Sequence, residues 1–227
     1  MIWYKYMEGR FAKDLVDHGR LRVNSLNYYR NVELHGNAVG DREENTFNAT
    51  SAIEGTKTGD QLNPVERTIF GFAPGVDPST CSFSNLSVVV PVQGRPSYGL
   101  CLSDTLSGEL VARMNEENAL VGNPPYDACV KIHDHKVLIR LLERYLKGRG
   151  LKYYGHGHCF YKSRNIPWER WHRESDQCPA FVKDPSYSWQ KEVRILFECG
   201  SGDEVDPIDC EIPELADLCE IIEIPSH

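Results

Sequence analysis

Gln190, Glu192 and Arg194 are separated by single residues in the stretch Trp189-Gln190-Lys191-Glu192-Val193-Arg194-Ile195-Leu196-Phe197, a spacing that could do chemistry. Alternate residues of a strand share a face. Gln190, Glu192, Arg194 and Leu196 then lie on one side, with Trp189, Lys191, Val193, Ile195 and Phe197 on the other. Charged groups on a strand otherwise this apolar need partners or a function. A carboxylate held rigidly beside a hydrogen-bonding amide suits a reaction with a cationic, sugar-like transition state. Glu192 would hold a ribose hydroxyl and stabilise positive charge, and Gln190 would orient the acceptor. The competing reading is a surface strand in which Glu192 pairs with Arg194 or Lys191.

Four further clusters carry reactive residue types. In Tyr28-Tyr29-Arg30, a tyrosine could stack on a nicotinamide or nucleobase and Arg30 could bind a phosphate; packing of one tyrosine into the core is the alternative. Asp41, Glu43 and Glu44 sit in a polar stretch, as a solvated acidic loop or as contributors to a cleft or a metal. His156 and His158 share a strand face, but no spacing to Cys178 or His172 forms a known zinc pattern. Lys162, Arg164, Arg170 and Arg173 interleave with Trp168 and Trp171; that mixture binds single strands of nucleic acid or packs beneath a loop. No GxSxG, P-loop or HExxH motif is present.

The elements that would position these residues follow from periodicity. Residues 2–6 read as a strand, Arg10 to His18 as a helix closed by Gly19, and Leu21 to Val23 as a second strand. Ser25 to Arg30 reads as a short capped helix. Residues 31–66 are polar and predict a long loop. Thr68 to Phe72, Leu86 to Val92, Tyr98 to Leu102, Ala128 to Ile132 and Leu151 to Tyr161 predict strands. Thr105 to Met114 predicts a helix. Asp134 caps another through about Leu146, with Val137, Leu138, Leu141, Leu142 and Tyr145 on one stripe. Leu218 to Ile224 closes the chain. Strands that do not alternate regularly with helices point to an α+β fold in a single domain spanning 1–227.

Bulk composition narrows the function classes. The net charge of −8 argues against a broad nucleic-acid backbone footprint. No apolar run of membrane-spanning length occurs, and Met1 to Tyr6 has no secretory-leader pattern, so the expected compartment is the cytoplasm. Eight scattered cysteines without a CxxC pair read as buried free thiols.

The chain also resembles a bacterial and phage domain family of unknown function. The resemblance rests on Tyr4-Lys5-Tyr6, Gly19 to Arg30, Gly40-Asp41-Arg42-Glu43, Leu100 to Ser103, Asp127 to Ile132 and Trp189 to Ile195, in that order. More distantly the layout is similar to ADP-ribosyltransferases, where a late Gln/Glu-x-Glu strand corresponds to Gln190-Lys191-Glu192. That resemblance implies two small, mostly antiparallel sheets around an NAD cleft with flanking helices. It implies Glu192 and Gln190 as catalytic residues, and Lys5, Tyr6, Tyr28, Tyr29 and Arg30 as residues that bind NAD. Lys5 and Tyr6 stand where the family has Arg or His. The implied activity is NAD-dependent transfer of ADP-ribose to a nucleic acid or protein, in a toxin or phage-conflict setting; no metal or membrane is implied. A non-enzymatic nucleotide- or protein-binding module, and a metal-dependent nuclease using Asp41 and Glu43, are the other readings.

Overall fold

The computed structural model describes residues 2–30, 40–70, 76–95, 97–174, 176–200 and 206–225. The fold is mixed α+β, with several mainly antiparallel sheets and few helices.

The main sheet has eight strands. They are β1 (Trp3–Met7), β2 (Arg20–Ser25), β5 (Ser97–Ser103), β6 (Ala128–Ile132), β7 (Leu151–His158), β11 (Glu192–Cys199), β12 (Ile208–Glu211) and β13 (Cys219–Ile222). It forks at β5. One edge of β5 pairs with β11 along its whole length, from Ser97 to Ser103, and β11 pairs on with β7. Two strands share the other edge: β2 takes Tyr98 and Gly99, and β1 takes Ser103. One wing therefore runs β5-β2-β12 and the other β5-β1-β6-β13. The slit between β1 and β2 is the fold's main irregularity.

Two smaller sheets complete the architecture. β3 (Thr46–Thr58) and β4 (Ser82–Gln93) form a long antiparallel hairpin, and β9 (Asn165–Pro167) adds to β3 in parallel. β8 (Phe160–Tyr161) pairs in parallel with β10 (Val182–Lys183).

The core lies on one face of the main sheet. Val193, Ile195 and Phe197 of β11 meet Leu100 and Leu102 of β5, Trp3 of β1 and Val130 of β6. Helices α1 (Gly9–His18) and α4 (His135–Lys147) cover this face through Ala12, Leu15, Leu138, Leu142 and Leu146. The Asp134 carboxylate accepts from the Lys136 and Val137 amides, which starts α4 at the expected residue. On the opposite face, α3 (Gly108–Leu120) packs Leu110 and Val111 against Tyr6 and Cys129. All eight cysteines are free thiols.

Two expectations fail. Residues 46–58, expected within the long polar loop at 31–66, form β3. Pairing with β4 on one edge and β9 on the other satisfies the backbone of this polar stretch, and its own Phe47 and Ala49 are buried against Ile166, Val182 and Val88. Residues 31–39 of that loop lie outside the described residues. The expected strand at Thr68 begins instead inside α2 (Pro64–Phe70); residues 71 and 72 lie outside the described residues. Asn63 and Glu66 bond each other's backbone amides reciprocally, and this cap overrides the β-branched Thr68-Ile69 pair. The remaining short helix, α5, spans Trp171–Glu174.

Gly19 ends α1 in the left-handed region, at φ 65°, and its N–H bonds the Asp14 and Leu15 carbonyls. A Cβ there would lie 1.9 Å from the Ile212 carbonyl oxygen. Gly122 has a similar φ of 73° with open space around it. Urea unfolding should therefore show Gly122→Ala losing about 1 kcal/mol and Gly19→Ala clearly more, the excess measuring the clash with Ile212.

Candidate functional site

The expected alternation holds from Glu192 onward. Val193, Ile195 and Phe197 enter the core, while Leu196 packs on the other face with Leu26, Tyr29 and Ala180. Glu192 and Arg194 share that second face, and both are buried. The strand does not extend back to Gln190, as was expected. Residues Pro185–Gln190 form a 3-10 segment, and Lys191 turns through a left-handed conformation at φ 48° before β11 begins. A tertiary contact unites Gln190 with Glu192 instead: Lys183 Nζ donates to Gln190 Oε1 and, at 2.7 Å, to Glu192 Oε2.

A closed charge network surrounds Glu192. Arg194 Nε donates to Glu192 Oε1. The Nη1 and Nη2 atoms of Arg194 form a bidentate pair with Glu44 at 2.6 and 2.8 Å, and Nη1 also donates to the Ala180 carbonyl. Beside it, Arg164 holds Asp41 in a second bidentate pair at 2.8 and 2.6 Å and donates to the Val182 carbonyl. The six charged side chains are each no more than 8% exposed. Burial favours the neutral acid for Glu192, but the Arg194 and Lys183 charges and hydrogen bonds outweigh it and hold the carboxyl well below its ordinary range. Lys183 loses by burial and gains more from Glu192, so it stays a firm cation.

Two of the six ions, Glu192 and Lys183, line a cleft at the fork of the sheet. An inner cavity of about 150 Å³ is lined by Glu192, Gln190 and Lys183, by Lys5 and Tyr6 of β1, and by Tyr29. An outer cavity of about 600 Å³ is lined by Tyr28, Phe11, Arg20, Arg22 and Asp209 among others. Lys5, Tyr6, Asn24 and Tyr126 line both. Lys5 has the strand parity of the core residues Trp3 and Met7, yet its Nζ reaches the Cys101 carbonyl at 3.1 Å on β5. Tyr6 Oη donates to the Thr105 carbonyl and accepts from the Ser107 amide, which fixes its ring. Asn24 donates to Tyr29 Oη at 3.0 Å. Burial pushes the Cys101 thiol up to about 12, with the Glu192 charge adding to it.

Of the residues named from the sequence, Glu192, Gln190, Lys5, Tyr6 and Tyr29 share the inner cavity, and Tyr28 lines the outer one. Arg30 lines neither: its guanidinium is held by the Glu44 carbonyl and the Thr46 hydroxyl. Among the acidic residues of the polar stretch, Asp41 gives both oxygens to Arg164 and Glu43 accepts from Asn48. No group of three His, Cys, Asp or Glu side chains suited to a metal occurs among the described residues. His156 meets Tyr153 and the Trp3 ring, while His158 lies 3.6 Å from Asp104. Trp168 and Trp171 of the basic-aromatic segment pack beside Ala49 and Val88 of the hairpin. Lys183, Asn24 and Tyr126 were not singled out in the sequence, and no local pattern marks them. No helix among the described residues is long and apolar enough to cross a membrane.

A scan of protein-family models and searches of curated proteins and of solved structures give no match to this chain.

The depressed Glu192 carboxyl has a consequence for stability. In the unfolded chain it titrates near an ordinary value of about 4.3, so the unfolded state binds more protons there and stability rises with pH. This contribution is complete above about pH 5 and is lost progressively as pH falls toward the folded value. Thermal melts from pH 7 to pH 3 should steepen downward below about pH 5, and Glu192→Gln should flatten that slope. Arg194→Met, which leaves Glu44 buried without its cation and Glu192 with Lys183 alone, should cost about 3–5 kcal/mol in denaturant unfolding.

Proposed function

We propose that the cleft binds a nucleotide and that the protein is an NAD-dependent ADP-ribosyltransferase acting on a macromolecule, a nucleic acid or a protein. The supporting observation is that Glu192 and Gln190, late in the chain, line one cavity with Lys5 and Tyr6 of the first strand and with Tyr29. The two wings that part from β5 supply the two-sided cleft such a reaction uses.

The chemistry follows from charge and geometry. Cleavage of the bond between nicotinamide and ribose builds positive charge on the sugar, and a fixed anion nearby stabilises it. Glu192 is ionised over the whole physiological range. A carboxylate has about four acceptor positions; Arg194 and Lys183 each occupy one, and the Cys101 thiol bonds a third. The remaining one suits a ribose hydroxyl. Lys183 anchors the Gln190 amide beside Glu192, where an acceptor would arrive. The rings of Tyr6, Tyr29 and Tyr126 offer faces for a nicotinamide, and the outer cavity is of a size that takes the rest of a nucleotide.

A second reading, a nucleotide-binding module without turnover, draws on one observation. Both Glu192 oxygens are already tied to buried cations, as in a purely structural ion pair. Release of nicotinamide from NAD separates the two. The transferase reading expects release from the wild type and a loss of at least about 100-fold in Glu192→Gln, on the scale of other transition-state charge contacts. No release by a folded wild type whose Tm rises with added NAD would favour the binding module.

A further inference from the structure

Two lysines line the inner cavity, and their surroundings are opposite. Lys183 is bonded to Glu192 and Gln190, lies 4.9 Å from the centre of the Tyr187 ring, and is held as a cation. Lys5 has no ion pair among the described residues; its one hydrogen bond goes to the Cys101 carbonyl. It stands on β1, which is paired from Trp3 to Met7 with β6, so its backbone is rigid. Lys5 lines both cavities, and the Cys101 carbonyl that its amine bonds belongs to a residue lining the inner one. We propose that Lys5 is a covalent carbonyl-binding site, whose Nζ forms an imine with the open-chain aldehyde of an aldose.

Reactive amines need a lone pair. An ordinary lysine is neutral in only about one molecule in a few thousand at pH 7, and the neutral fraction grows about tenfold for each unit by which the pKa falls. Burial pushes Lys5 down, and the negative charge of Glu192 opposes this only in part. A desolvated lysine in a pocket is the usual form of an amine nucleophile. The surrounding groups suit a polyol. Glu192 and Ser103 line the same space, as does Asn24, whose buried Oδ1 has no hydrogen-bond partner among the described residues.

The step balances without a redox partner. The Nζ lone pair attacks the aldehyde carbon, and the carbonyl π pair moves to oxygen. The carbinolamine then loses its hydroxyl as water, using a proton released from nitrogen, and the C=N bond forms. The lysine amine and the aldehyde thus yield an imine and one water. The inference rests on Lys5 and the two cavities, and is independent of NAD cleavage.

Glyceraldehyde, the smallest aldose, is the probe, with sodium cyanoborohydride at pH 7 to reduce any imine to a stable amine. Peptide mapping by mass spectrometry compares Lys5 with Lys183 and with Lys13, an exposed lysine of α1. Lys5 should be labelled at least about ten times faster than Lys13, and Lys183 should stay unlabelled. Lys5→Arg should lose the labelling of that peptide while keeping the wild-type Tm within a few degrees. Lys5 labelled no faster than Lys13 would overturn the proposal, as would equal labelling of Lys183. The first result would leave Lys5 an ordinary ammonium, and the second would make the cavity generally reactive. The comparison is made within the wild-type chain, so it holds even if the Lys5→Arg variant fails to fold.

Discussion

The buried guanidinium of Arg194 is the contact on which the rest depends. It is 1% exposed and binds Glu192, Glu44 and the Ala180 carbonyl at once. Desolvating each ion costs several kcal/mol, and only a fully satisfied network offsets that. Satisfaction here requires four parts of the fold to meet, one of them the segment before β9 that carries Arg164. β11 contributes Glu192 and Arg194, the turn leading into β3 contributes Asp41 and Glu44, and β10 contributes Lys183. The same ions therefore clamp the two smaller sheets to the large one and set the orientation of the Glu192 carboxylate.

The fork at β5 turns that clamp into a site. A continuous sheet would have covered Cys101 with a neighbouring strand. Because β1 and β2 take opposite ends of the β5 edge, a slit opens between them, and Lys5 reaches through it. The charged wall and the slit give the two cavities opposite characters. The inner one is narrow, with fixed charges. The outer one is wide, and the ion pair of Arg22 with Asp209 lies on its exposed rim. Rigid strands carry both Glu192 and Lys5, which suits a reaction in which small displacements are costly.

Much of this was legible locally. The α4 helix shows its Asp134 cap and apolar stripe, and β11 shows its alternation, so the burial of Val193, Ile195 and Phe197 follows from period alone. The polar strand β3 was not legible, because the residues that bury its Phe47 and Ala49, namely Val88, Ile166 and Val182, lie far away in the sequence. Gln190 was placed beside Glu192 for the wrong local reason. Lys191 breaks the strand, and it is Lys183 that brings the amide back. Arg30 looked like a ligand for phosphate, but nearby backbone and hydroxyl oxygens claim it.

By itself the sequence determined most strands of the main sheet, the capped helices α1 and α4, the polar face of β11 and the presence of Glu192 on it, since these depend on periodicity and capping within a few residues. Only the tertiary structure decided what Glu192 meets. Glu44 lies 150 residues before Arg194, and Asp41 lies 123 before Arg164. No local pattern encodes such pairings, because the cost of a buried charge can be met by any partner the chain brings within reach. The position of Lys5 was decided the same way, by a slit that exists only once β1 and β2 have divided the edge of β5.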